Sequence, residues 1–408
     1  MSFASVDEQM AVLREGLEEI LTEEELRAKL ERSRKEGRPL RVKQGFDPTA
    51  PDIHLGHTVG LRVLERFQRL GHTVVLIVGD YTAMVGDPSG RSETRPRLTR
   101  EQILENAATY QEQFFRILDR ERTEVRFNGE WFAEMRLEQL LELTSHFTVA
   151  RMLERDDFEK RFRSGVPISV HEFLYPLMQG YDSVEIKADV EIGATEQTFN
   201  LLAARSIQRD YGVEPQVALT FPVLPGLDGV RRMSKSLGNY VGVCDPAEEM
   251  YGKMMSLPDE AVPTFVRMVS GWDDGLRAEA TAGCQTDPMG WKGRLAARIV
   301  ELYHGADAAV EAAAHFDRVV RRKERPEEID EAEIVPWGES LWVPRLLKEA
   351  GLAPSTSEAR RLIQGGGVSV DDDRVDDPKA EIAAEPGRVY LLKVGKRKYL
   401  RVRIRASG

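Results

Sequence analysis

The sequence predicts an α/β fold: a parallel sheet flanked by helices, followed by an α-helical domain and a small α+β domain. Residues 40–43 alternate apolar and basic as a short strand does, and Val59 to Leu64 carries helical periodicity. Residues 73–80, TVVLIVGD, form a continuous β-branched run without alternation, the pattern of a strand buried on both faces. Strand, helix and strand in succession imply a right-handed parallel crossover and hence a Rossmann-like sheet. From Leu341 the pattern restarts with two short helices and basic strand-like segments, which marks a separate small domain.

Composition bounds the class. A chain of 408 residues, 41% hydrophobic and 31% charged, is long enough for two or three domains with a substantial core. The start, MSFASVDEQMAV, has no basic-then-apolar pattern, and no apolar run approaches the roughly 18 residues of a membrane span. A cytoplasmic protein without membrane association is expected. Two cysteines, Cys244 and Cys284, are too few and too far apart for a disulfide framework or zinc ribbon, and no protein-bound metal is expected. The net charge of -11 argues against nucleic-acid binding over the whole surface but leaves room for a local basic patch.

Residues 1–36 form an N-terminal helical segment. Met10, Leu13, Leu17, Ile20 and Leu21 fall at helical spacing, and Thr22 followed by three glutamates is a good helix start. Residues 37–240 form the sheet domain. Within it, residues 44–57, QGFDPTAPDIHLGH, connect a strand to a helix. Pro48 and Pro51 stiffen the crossover, and Asp52 is placed to cap the helix that His54 begins. His54 and His57 lie three apart near exposed amide groups, with Gly56 between them, so the arrangement suits a phosphate. It also sits at the carboxyl end of a strand, where such sheets bind ligands.

Residues 84–96 form a Gly/Pro/Ser-rich loop carrying Arg91 and Arg95, either a mobile loop over a nucleotide or an ordinary surface loop. A helix follows from Thr99, and residues 120–165 read as a helical insertion and a plausible dimer surface. Tyr175, Gln179 and Asp182 fall at i, i+4 and i+7, one stripe on one helical face. A solvated face would look the same. Residues 188–197 read as a strand, a glycine turn at Gly193 and a helix start; residues 219–226 are another strand. The loop 231–239 then brackets small hydroxyl residues with Arg232 and Lys235.

Residues 241–325 are helical by period, residues 326–340 are an acidic linker, and residues 341–408 form the small last domain. Ser355 to Glu358 reads as a capping box for a helix bearing Arg360 and Arg361. Residues 386–408 hold eight Lys/Arg, among them Lys396, Arg397 and Lys398, and no carboxylate side chain. Strand character on either side of Gly395 favours a folded basic hairpin, one face of which suits a polyanion.

His54-Leu55-Gly56-His57 and Arg232-Met233-Ser234-Lys235-Ser236 resemble the paired nucleotide motifs of class I aminoacyl-tRNA synthetases, commonly written HIGH and KMSKS. Residues 45–49, GFDPT, residues 86–90, GDPSG, and the stripe Tyr175, Gln179, Asp182 narrow the resemblance to the bacterial tyrosyl members. The last 70 or so residues are similar to the small RNA-binding domain these enzymes share with a ribosomal protein. The tryptophan-specific relatives, with the same two motifs, are the nearest rival.

The resemblance implies activation of L-tyrosine by ATP with Mg2+, release of pyrophosphate, and transfer to tRNA(Tyr) by a homodimer. It assigns Thr49 and His54 to the γ-phosphate, and His57, Gly45, Asp47, Gly56, Gly193, Gln197, Met233, Ser234 and Ser236 to the nucleotide. Arg91, Arg95, Arg232 and Lys235 would close on the pyrophosphate. Asp87, Tyr175 and Gln179 would hold the tyrosine ammonium, and Asp182 its phenolic proton. Arg360, Arg361, Lys396, Arg397 and Lys398 would meet the tRNA. The sequence departs from the family at Lys43, where a tyrosine often stands, and at Ala194 and Glu196, where glycine and aspartate are common.

Overall fold

The computed structural model describes residues 3–48, 52–87, 99–321, 329–395 and 398–405, in two compact units divided between Ala309 and Val310. The first is built on a six-stranded sheet of β1 (Glu19–Leu21), β2 (Arg41–Phe46), β3 (Thr73–Val78), β4 (Thr123–Phe127), β5 (Val190–Ala194) and β6 (Val217–Phe221), in spatial order β1-β6-β5-β2-β3-β4. All neighbours pair in parallel except β1, which runs antiparallel to β6. Val42, Val74, Leu76, Val190, Ile192, Val217 and Leu219 are buried on one face and Val75 and Ile77 on the other, which explains the unalternating apolar runs.

Two helices precede β2: α1 (Val6–Leu13), capped by Ser5, and α2 (Glu23–Glu36), capped by Thr22 and closed by Gly37 in the left-handed region. Between them the structure corrects the expected helix, because Ile20 and Leu21 lie in β1. Edge pairing to Leu219 and Ala218 overrides their helical spacing. From β2 the chain passes through α3 (Leu55–Arg69) to β3, then through α4 (Thr82–Val85) and α5 (Arg100–Phe114) to β4. It then returns across the sheet to β5, on the other side of β2. The strand order therefore reverses between β2 and β5, and their carboxyl ends open a crevice at that switch point.

The expected insertion at 120–165 is helical only after its first part: residues 123–127 are β4, paired with β3 as the sheet edge. Then come α6 (Gly129–Phe132), α7 (Leu137–Ser145), α8 (Val149–Met152) and α9 (Asp156–Arg163). Next, α10 (Leu174–Glu185) packs against α11 (Thr198–Asp210), which follows β5. Beyond β6, α12 (Ala247–Met255), α13 (Val262–Val269), α14 (Asp274–Gly283) and α15 (Pro288–His304) bury Met250, Met254, Phe265, Leu295 and Ile299. Helix α16 (Ala306–Phe316) runs across the boundary between the units.

The second unit holds a five-stranded sheet in the order β10-β9-β12-β13-β7, formed by β7 (Glu331–Ile334), β9 (Val368–Val370), β10 (Asp373–Arg374), β12 (Val389–Val394) and β13 (Lys398–Ile404). A two-stranded sheet joins β8 (Ser340–Trp342) to β11 (Glu381–Ala383). Helices α17 (Val343–Glu349) and α18 (Thr356–Gln364) cover a core that includes Leu346, Leu347, Ile363, Leu392 and Val402. The acidic stretch expected as a linker at 326–340 contains β7, which pairs in parallel with β13, so the small domain begins before residue 341. The basic hairpin β12–β13 stands as expected, with Gly395 at a φ of 64°.

Candidate active site

A cavity of about 230 Å³ occupies the crevice beyond β2 and β5 and is lined in part by Gly45, Asp47, Gly56, His57, Asp87, Glu196, Gln197 and Arg232. A narrower recess of about 20 Å³ shares Gly45, Phe46, Asp47, Tyr175 and Gln197 with it and leads to Gln179 and Asp182 on α10. The two form one path from the strand ends to the floor under α10. The stripe on α10 is thus a cavity wall, and a solvated face is excluded: Asp182 is 3% exposed, and Tyr175 and Gln179 are buried as well.

The histidine motif is organised by its own backbone. His54, in place of the expected Asp52, is the N-cap of α3, and its Nδ1 accepts the Gly56 amide at 3.2 Å. The His54 amide in turn donates to Nδ1 of His57 at 3.1 Å. Because both Nδ1 atoms accept, the neutral rings carry their protons on Nε2, where they serve as donors. The rings stack at 3.9 Å between centroids. Burial and mutual repulsion drive His54 down to about 2, while burial and Lys235 drive His57 down to about 4, so both are uncharged near neutral pH. A Cβ on Gly56 would lie 3.0 Å from the His54 ring, which explains the glycine between them.

The second motif is tied to the first through the strand-like contacts of residues 241–243. Leu55 donates to the Val241 carbonyl at 2.9 Å and Val243 to the Ile53 carbonyl at 3.1 Å. Lys235 donates to the Asp52 carbonyl and lies 3.6 Å from its carboxylate, which is the role Asp52 takes instead of capping. Desolvation lowers the Lys235 ammonium below its usual range despite Asp52. Arg232 donates to Glu196 at 3.2 Å, so the departure at Glu196 supplies an anion to this cation. Ser234 and Ser236 share a hydrogen bond, and Met233 is buried. Of the two motifs, Gly56, His57 and Arg232 line the cavity; His54, Met233, Ser234, Lys235 and Ser236 stand behind or beside it. Gly193 lies within β5, where a Cβ would meet the Gln197 amide at 3.0 Å. Thr49, Arg91 and Arg95 lie outside the described residues.

Asp182 accepts from Trp131 Nε1 at 3.0 Å and from Asn128 Nδ2 at 3.5 Å. Burial pushes its carboxyl up to about 7 against the opposing pull of Lys43 and of these donors. Tyr175 donates its hydroxyl to Asp47 at 2.8 Å, and Asp47 also accepts from Thr82 at 2.8 Å. Asp87 accepts from Arg155 and from Gln197, each at 3.2 Å. The Gln179 amide donates to Glu191 and accepts from Asn200, both at 2.9 Å, so its ammonium role would use the second lone pair of Oε1. Trp131, Asn128, Arg155, Glu191 and Asn200 were not singled out as site residues from the sequence. They come from segments remote in the chain, and only Trp131, an indole needing a partner for its N–H, carried a local signal.

In the second unit Arg360, Arg361 and Lys398 are exposed, while Lys396 and Arg397 lie outside the described residues. Arg360 stacks over Trp342 at 4.8 Å, and Arg361 lies 3.4 Å from Glu358. Arg403 of β13 and Arg405 just after it pair with Glu331 and Glu333 of β7, so the acidic strand neutralises part of the basic face.

A parallel sheet with two motifs bearing histidines and cations at its switch point, beside a small enclosed recess, defines the class of α/β proteins that bind ligands at strand ends. The chain belongs to the tRNA synthetases class I (W and Y), whose family model matches residues 35–321; a second model, the S4 domain, matches residues 341–385. It is 52% identical to a tyrosine--tRNA ligase of Moorella thermoacetica over 97% of this chain and 96% of that one. It is 50% identical to that of Thermotoga maritima over 97% of each. Among solved structures it resembles tyrosyl-tRNA synthetase complexed with L-tyrosine from Archaeoglobus fulgidus, with TM-score 0.61 and 25% identity over 76% of this chain and 99% of the other.

Proposed function

We propose that this chain is a tyrosine–tRNA ligase: it joins L-tyrosine to ATP as tyrosyl-adenylate, releasing pyrophosphate, and then transfers tyrosine to the 3' end of tRNA(Tyr). The observation that carries the reading is the enclosed carboxylate of Asp182 at the end of a recess that opens into the cavity beside His57. A phenol is the side chain that reaches such a carboxylate and offers it a proton. The identity to tyrosine--tRNA ligases over nearly the whole chain supports it.

The tyrosine carboxylate is already a nucleophile, so the first step needs no general base. Its oxygen attacks the α-phosphorus of ATP·Mg2+, and the bond to the β-phosphate oxygen breaks. Negative charge grows on the leaving pyrophosphate, where the neutral Nε2 donor of His54 and the charges of Arg232 and Lys235 are assigned, with Thr49, Arg91 and Arg95 by resemblance, while His57 is assigned to the ribose and adenine. Each well-placed donor contributes roughly 2.7 to 4 kcal/mol. In the second step a terminal ribose hydroxyl of the tRNA attacks the tyrosyl carbonyl and AMP leaves.

Asp87 and Tyr175 are assigned to the ammonium; Arg155 and Gln197 hold Asp87 in place. The exposed apolar side chains Leu137, Leu141, Val149 and Phe162 support a homodimer through the insertion. The enzyme is assigned to the cytoplasm; no described helix is long and apolar enough to cross a membrane. Charging of tRNA(Tyr) by labelled tyrosine is the test. Robust charging with tyrosine and none with tryptophan is expected; charging with tryptophan alone would overturn the assignment.

A further inference from the structure

Lys43 is fully enclosed, with 0% of its side chain exposed, one layer beneath the recess. Its register partner across β2 and β5 is Glu191, and its Nζ lies 3.0 Å from Glu191 Oε1. The ammonium also donates to the Gln179 carbonyl and to Ser183 Oγ, each at 2.7 Å. Three acceptors take up its three protons, so Lys43 has no proton left for the substrate. Two of those acceptors bracket Asp182 on α10: Gln179 one turn before it and Ser183 directly after it.

A buried ion pair is a weak device for stability, since two apolar side chains of similar volume commonly serve as well. Its placement under a functional carboxylate supplies a different reason for the charge. We propose that Lys43 is a positioning residue for substrate selection: it anchors the turn of α10 that carries Asp182 to the sheet and keeps a positive charge beneath that carboxylate, so that Asp182 meets the phenol as an anion. The inference rests on Asp182 as the hydroxyl acceptor. Where the family often sets a tyrosine against the phenol, this chain sets a cation behind the acceptor.

Among the described residues, the charges around Asp182 are few. Lys43 is the largest influence lowering its proton affinity, and Glu191 acts the other way. Asp47 is held by Tyr175 and Thr82, and Asp80 accepts the Gly129 amide. Glu185 lies on the same helix, and Arg126 and Glu130 pair with each other outside Trp131. On the packed helices α7 and α11, Glu138, Glu142, Arg209 and Asp210 are exposed, His146 pairs with Asp210, and Arg205 turns to Glu25.

The test is the pH profile of kcat/KM for tyrosine in pyrophosphate exchange, from about pH 5 to about pH 9. The wild type is expected to rise through a midpoint near 7, the value of Asp182. Lys43→Met should move that midpoint up by about one unit or more, and Glu191→Gln should move it down. The double variant Lys43→Met/Glu191→Met replaces the pair with an apolar one; it should fold and show a smaller upward shift. A merely packing role would raise KM evenly and leave the midpoint in place, and that result, in the double variant alone if the single ones do not fold, overturns the inference. Asp182→Asn separates the two readings. If it abolishes the transition while the Lys43 variants leave it unmoved, only this inference fails; if it leaves the transition intact, the hydroxyl-acceptor reading fails with it.

Discussion

A carboxylate enclosed beside apolar strand residues pays a large desolvation penalty, and Asp182 answers it with two donors and a proton affinity raised from 3.8 to about 7. Because its value in the folded chain is raised, its contribution to folding stability is fully present below pH 3.8 and is lost as pH rises through about 7. Asp182→Asn should therefore flatten the decline in stability across that window, as denaturant unfolding at several pH values would show. A decline as steep as in the wild type would contradict the assignment of charge. The histidines behave oppositely: with values of about 2 and about 4, neither titrates near neutrality. His54→Ala should lower the adenylation rate by roughly 10²- to 10³-fold, since its Nε2 is assigned to developing charge. Single-turnover kinetics should show no imidazole transition above pH 5 or so in the wild type.

At the scale of elements, the parts legible in the sequence were those whose signal is local. The unalternating run of β3, the cap at Thr22 and the helix of the Tyr175 stripe each stand where their own residues place them. β1, β4 and β7 were not legible, because short edge strands take their stability from a partner: β6, β3 and β13 respectively. The site divides the same way. His57 and Arg232 were proposed from their motifs and Tyr175 and Asp182 from the family resemblance, the spacing of the stripe alone leaving a solvated face open, whereas Arg155, Asn200 and Glu191 join through tertiary contact alone. Apolar residues exposed on the insertion make a further prediction. Phe162, 66% exposed on α9, should bury on dimerisation, and Phe162→Asp should shift sedimentation from dimer to monomer. An unchanged sedimentation coefficient would remove that surface as the interface.

For the whole molecule, we propose that the first unit carries the chemistry and the second, with its S4 match and basic hairpin, captures RNA. The second unit has its own core, separate from that of the first. Removal of residues from 329 onward should leave tyrosyl-adenylate formation within about twofold while tRNA charging falls and loses part of its salt dependence. Charging that stays undiminished would show that the second unit takes no part.

We propose that one path joins an ATP cavity to a carboxylate that reads a phenolic hydroxyl. Pyrophosphate exchange measured side by side with tyrosine and phenylalanine is the decisive test. A site built around Asp182 leaves that carboxylate unpaired with phenylalanine, so kcat/KM should favour tyrosine by about 10⁴ to 10⁵. Comparable exchange with the two amino acids, or none with tyrosine, would contradict it.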